Sequence, residues 1–156
     1  MSPADIEREN KALVARWFEE VWNRGRADLI DELRAPDAVA IGLGEGNEES
    51  RGEAPFKIFY SNLRQTLPDL HVQIHDILAE GDKVAVRITA EGTHTGSVLG
   101  PPPSGRRVRF GGILIVRLSG GKIAEAWNSL DQLGLLKQLG AIPAEGLRED
   151  FLITRP

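Results

Sequence analysis

An α+β fold, in which N-terminal helices pack on one face of a curved antiparallel sheet that curls into a cone, is predicted by three features of this 156-residue chain. Helix-period apolar residues are gathered before Pro68, strand-period segments fill the stretch from Leu70 to Asp131, and Gly92, Gly96, Gly111 and Gly112 stand where long strands must bend. The concave side of such a cone is a natural small-molecule pocket.

The elements follow in order. Ile6, Leu13, Val14, Trp17, Phe18, Val21 and Trp22 recur at helical spacing and predict a first helix, with Asp5 in its early turn and Asn23-Arg24-Gly25 ending it. Ala27–Leu33 reads as a shorter second helix before Pro36, and Ala38–Ile41 as a short strand. The acidic, Gly-rich stretch Gly42–Ser50 reads as an exposed loop. Gly52-Glu53-Ala54-Pro55 opens a third helix through Leu63, whose apolar stripe is Phe56, Phe59, Tyr60 and Leu63. Strands are expected at Leu70–Ala79, Lys83–Thr95, Arg107–Leu118 and Ile123–Asp131, with turns at Glu80-Gly81-Asp82 and Ser119-Gly120-Gly121. The period turns helical again at Leu133, Leu135, Leu136 and Leu139. Residues 1–142 are therefore expected to form one domain, and 143–156 a tail that either packs on a partner subunit through Phe151, Leu152 and Ile153 or is partly disordered.

Composition narrows the function. Hydrophobic content of 41%, charged content of 27% and a net charge of −4 fit a globular protein with no expected nucleic-acid partner. Zero cysteines exclude disulfides, thiolate nucleophiles and cysteine-based zinc sites, and the three histidines supply at most part of a metal site. There is no apolar run of about 18 residues and no signal-peptide progression, which points to the cytoplasm and away from the membrane. Gly-x-Ser-x-Gly is absent, and the glycines follow no phosphate-binding pattern.

Strand parity assigns faces. Val84, Val86, Ile88 and Ala90 share theirs with His94, which is expected inside, whereas His71 and His75 point out. Ile113 to Val116 are apolar on both faces, so the outer face is expected to meet a second copy in a homodimer. Trp127, Ser129 and Asp131 share one face. If that face looks into the cone, Asp131 is a carboxylate beside an aromatic wall, with a raised proton affinity suited to acid/base work. If it looks out, Asp131 is the N-cap of the following helix. Leu99-Gly100-Pro101-Pro102-Pro103-Ser104-Gly105 reads as a rigid loop at the cone mouth.

Glu91-Gly92-Thr93-His94-Thr95-Gly96, Gly100-Pro101-Pro102, Gly105-Arg106-Arg107-Val108, Gly121-Lys122-Ile123 and the ending Trp127…Asp131-Gln132-Leu133-Gly134-Leu135-Leu136 resemble the SnoaL-like polyketide cyclase family, from about Glu9 to Leu139. Glu19-Glu20-Val21-Trp22-Asn23 with Asp28 resembles its opening helix. The resemblance implies the nuclear transport factor 2-like cone and an intramolecular aldol cyclisation of an aromatic polyketide ester without metal or organic cofactor. It puts Asp131 at the acid/base position, removing an α-proton and returning one to the new alkoxide. Trp17, Phe59, Tyr60, Phe110 and Trp127 are the expected walls for a hydrophobic, multi-ring ligand. His94 is the expected helper, polarising a carbonyl or bonding Asp131, and Asn128 and Ser129 flank the motif as ligand-orienting or strand-end residues. Leu114 takes an inward place where studied cyclases carry a histidine or another polar residue. Two alternatives stand beside the cyclase: a hydrolase, isomerase or dehydratase on the same fold, and a non-catalytic binder of a hydrophobic small molecule.

Overall fold

Ser2 and Asp5 start the first helix in the computed structural model, which describes residues 1–44 and 46–143. The Asp5 amide donates to Ser2 Oγ at 3.2 Å and the Ser2 amide to Asp5 Oδ2 at 3.1 Å, a reciprocal cap ahead of α1, Pro3–Arg16. The expected single helix then changes pitch. Trp17–Asn23 is a π-helical turn, in which the Arg24 amide reaches back five residues to the Glu19 carbonyl. The wider turn buries Trp17, Phe18, Val21 and Trp22 together. A 3₁₀ turn at Ala27–Leu29 and the short α2, Ile30–Leu33, lead into the sheet.

β1 spans Arg34–Ile41 and starts four residues before the expected Ala38. Pro36 is tolerated there because the pairing of β1 with its neighbour is irregular between Arg34 and Val39, where no ladder bond asks for its missing N–H. Within the stretch expected to be only loop, β2 (Glu49–Arg51) pairs antiparallel with β1. Then come α3 (Glu53–Thr66), β3 (His71–Glu80), β4 (Lys83–Thr93), β5 (Arg107–Ser119), β6 (Lys122–Leu130) and α4 (Gln132–Leu139).

The sheet order is β2-β1-β6-β5-β4-β3. β3 to β6 form the expected antiparallel meander, while β1 joins β6 in parallel, so the α+β cone carries one parallel pair. His75 is an extra residue in β3, since the register moves from Ile74↔Ile88 to Asp76↔Arg87. This bulge reverses the alternation: Ile77 packs on the core and Leu78 is 67% exposed. The helices are tied to the sheet by Asn23, whose side chain accepts from the Val72 amide at 2.6 Å and donates to the Val72 carbonyl at 2.9 Å. Those backbone groups belong to an edge strand and would otherwise lack a partner on that side. The tail contact expected of Phe151, Leu152 and Ile153 lies outside the described residues.

Candidate functional site

The cone encloses a small cavity of about 70 Å³ between the π-helical turn, α3 and the sheet. Trp17, Trp22 and Phe56 form its helical wall, and Ile88, Phe110 and Leu114 its sheet wall. Toward the mouth it adjoins a vestibule of about 450 Å³, with which it shares Leu43, Phe59, Leu63, Phe110 and Leu130. Leu99, from the proline-rich loop, reaches the vestibule as expected of a rim.

Among the described residues the polar or charged side chains that line the deep cavity, apart from its tryptophans, are Arg34 and Asn128, and no carboxylate lines it. Arg34 is the first residue of β1 and is 4% exposed. Its Nη1 donates to the Gly52 carbonyl at 2.9 Å and its Nη2 to the Ala38 carbonyl at 3.2 Å, with the guanidinium 4.7 Å from the Phe56 ring centroid. Burial holds its proton affinity below the usual arginine range, only partly offset by Glu53. Asn128 projects from β6, and its Nδ2 donates to the Ile41 carbonyl at 3.0 Å and the Ala126 carbonyl at 3.3 Å. That leaves Oδ1 to offer to a ligand. Gly42, at φ 84°, makes this corner possible, because a Cβ there would collide with the Asn128 carbonyl oxygen.

Of the side chains expected at the site, Trp17, Phe59, Phe110 and Leu114 line the cavity. The others require correction. Trp127 and Ser129 do share a face, but it is the outer one, and Asp131 lies just past the end of β6. Leu118 pairs with Ile123 and Arg117 with Glu125, so Ala124 is an extra residue that resets the strand, and Ala126, Asn128 and Leu130 turn inward. Trp127 instead lies under Lys83, whose Nζ is 5.6 Å from its ring centroid. Asp131 is exposed and caps α4, accepting from the Gly134 amide at 2.9 Å. Tyr60 packs its ring on Trp22 and donates its hydroxyl to the Val21 carbonyl at 2.8 Å, and burial raises its proton affinity for the bonding proton.

His94 is inward and 1% exposed, as its parity predicted, but it is not a cavity residue. Its Nδ1 lies 3.0 Å from Ser104 Oγ and accepts from the Ser104 amide at 3.3 Å. Its backbone exchanges bonds with the Arg106 carbonyl and the Gly105 amide, both at 2.9 Å. Thr95 and Gly96 then both donate to the Thr66 carbonyl at the end of α3. The histidine therefore pins the base of the rim loop. It sits beside Arg106, whereas the Asp131 amide bonds the Gly111 carbonyl, five residues along the same strand direction. That offset is roughly 17 Å at the rise of an extended chain, so the structure does not bring the two together.

In the sequence Arg34 carries no mark of a site, and Asn128 stands out only as a neighbour of the motif. The parity shared by Ala126, Asn128 and Leu130 was the available signal for the latter. Among the described residues no group of three or more His, Cys, Asp or Glu side chains is placed to hold a metal, and no helix is long and apolar enough to cross a membrane.

A helix-backed open cone with an apolar interior and a wide mouth defines a class of small-molecule pocket proteins. The sequence profile of the SnoaL-like polyketide cyclases matches residues 12–139, and the chain belongs to that family. It is 28% identical over 128 residues to the aklanonic acid methyl ester cyclase DnrD of Streptomyces peucetius, covering 81% of this chain and 88% of that one. It is likewise 28% identical over 121 residues to the nogalonic acid methyl ester cyclase of Streptomyces nogalater, covering 76% and 89%. Among solved structures, AclR of Streptomyces galilaeus, a proposed hydroxylase, superposes with a TM-score of 0.78 at 30% identity over 93% of this chain and 88% of its own.

Proposed function

We propose that this chain takes a hydrophobic, polyketide-type carbonyl compound into the cone and holds its polar end against Arg34 and Asn128. The observation that supports this reading is the lining of the deep cavity, which among the described residues is apolar apart from those two side chains and without a carboxylate. A guanidinium and an amide orient and polarise a ligand oxygen, but neither serves as a base for an α-proton near neutral pH.

The second reading is aldol cyclisation of an aromatic polyketide ester with Asp131 as acid/base and no cofactor. It is favoured by the methyl ester cyclases among the relatives, and by the place of Asp131 at the rim between Leu130 and Gln132, two vestibule residues. Incubation with aklanonic acid methyl ester, followed by chromatography for a cyclised isomer and by equilibrium dialysis for retention, separates the two. The expected result is retention, with any turnover of Asp131→Asn within about threefold of the parent. A fall of about 100-fold or more, the usual range for a lost general acid/base, would instead establish Asp131 in that role.

The partner is a second copy of the chain. Leu78, Ala85, Ile115, Trp127 and Ile41 stand opposite one another on successive strands from β3 to β1, an apolar row across the outer face. Beside it Ile113 is 53% exposed. Ion pairs flank the row, Arg87–Asp76 at 2.6 Å and Arg117–Glu125 at 3.1 Å, so two copies related by a two-fold axis can cross apolar row on apolar row with charge at the rim. Sedimentation is expected to give a dimer for the parent chain and a monomer for the Ile113→Asp, Ile115→Asp double variant. A monomeric parent refutes this interface.

A further inference from the structure

Arg34 is a charge inside an apolar cavity with no carboxylate within 4 Å among the described residues. Its two hydrogen bonds end on neutral backbone carbonyls, which aim the guanidinium without neutralising it. Glu53 is close enough to be felt, yet its carboxylate lies 3.6 Å from Lys57 Nζ. A buried cation left without a counter-ion is costly, and clamping the Gly52 turn to β1 needs only a neutral donor. The remaining polar side chain of the cavity, Asn128, offers an acceptor and brings no negative charge. The deep end of the cone is thus electrically incomplete when empty.

We propose that Arg34 is the anion-recognition residue of this cavity, and that the ligand class is a hydrophobic molecule whose inner end carries an anionic oxygen, a carboxylate or an ionised enol. This inference rests on the reading of the cone as a ligand site and specifies the chemistry of the end that enters first. The anionic oxygen takes the remaining donor capacity of the guanidinium, and a neighbouring hydroxyl of the same ligand donates to Asn128 Oδ1. The body of the ligand lies between Phe59 and Phe110 in the vestibule, where the charged side chains are Glu48 and Glu49, both acidic. Among the described lining residues a preference for anions therefore reports on Arg34.

The test uses a matched pair of probes, 2-naphthoate and methyl 2-naphthoate, titrated into the full chain at neutral pH and followed by calorimetry and by quenching of tryptophan emission from Trp17 and Trp22. The parent is expected to bind the acid about tenfold or more tightly than the ester, as a charge-assisted bond in a dry site provides. Arg34→Met is expected to erase that preference by weakening the acid about tenfold more than the ester, and Arg34→Lys to keep the preference. Equal affinities in the parent, or an undiminished acid preference in Arg34→Met, overturn the inference while leaving the ligand site intact. Binding of neither probe overturns both. Should Arg34→Met fail to fold, the parent's acid-to-ester ratio and the Arg34→Lys variant still decide.

Discussion

Replacing Trp22 with alanine is expected to lower the unfolding free energy by about 3–5 kcal/mol, the range for deleting a large aromatic from a packed core. Trp22 is 7% exposed and sits at the hub of the helical layer, with ring centroids 4.9 Å from Tyr60, 6.1 Å from Phe59 and 6.3 Å from Phe56. Two of these contacts are edge-on, the arrangement in which the positive ring edge meets a negative face. The site has little room to collapse, because the π-helical turn is held from below by the Tyr60 hydroxyl and from the side by Asn23. The midpoint of thermal unfolding should fall by roughly 6–20 °C for a chain of this length, as circular dichroism would record. A fall of less than about 2 °C would show that the aromatic layer refills the space and carries less of the stability than its geometry implies.

The largest effect on function is expected from Ala126→Leu. Ala126 lines the deep cavity, and three added carbon atoms enter a space of about 70 Å³. Affinity for the naphthoate probes should drop at least about thirtyfold, equivalent to ~2 kcal/mol, while stability changes by no more than ~1–3 kcal/mol because the new atoms occupy volume that is already open. Ser129→Leu adds bulk three positions along the same strand on the opposite face, and should leave affinity within about twofold. If Ser129→Leu abolished binding and Ala126→Leu did not, the assignment of faces on β6 would be wrong.

That pair of substitutions bears on what the sequence discloses. The alternation of β4 could be read directly, because apolar and polar residues separate cleanly from Val84 to His94 and no bulge intervenes. On β6 the grouping of Trp127 with Ser129 was legible and its direction was not. Direction depends on the extra residue at Ala124 and on the register against β5, and both are settled by contacts between distant segments. A large aromatic at Trp127 made the wrong face look like the wall. The parallel partnership of β1 with β6 is equally non-local, and β2 is too short and polar to carry a period. Arg34 gave no signal because a buried arginine has the same local pattern as an exposed one. Its burial comes from Phe56, Gly52 and Ala38, which only the folded chain brings around it.

The way the rim loop is anchored sets how a ligand gets in and out. His94, Gly105 and Arg106 clamp its two ends together, and the Thr66 carbonyl fastens its base to the last turn of α3, against which Gly96 lies so closely that a Cβ would strike the Gln65 carbonyl oxygen. Among the described residues the span from Ser97 to Pro103, carrying Leu99, makes no hydrogen bond to the rest of the fold. On the reading of the cone as a ligand site, a guest passes this span, and motions of a loop of this length fall on the nanosecond-to-microsecond scale. Residence time in such a vessel is governed by how well the interior grips its guest, with the doorway adding little delay.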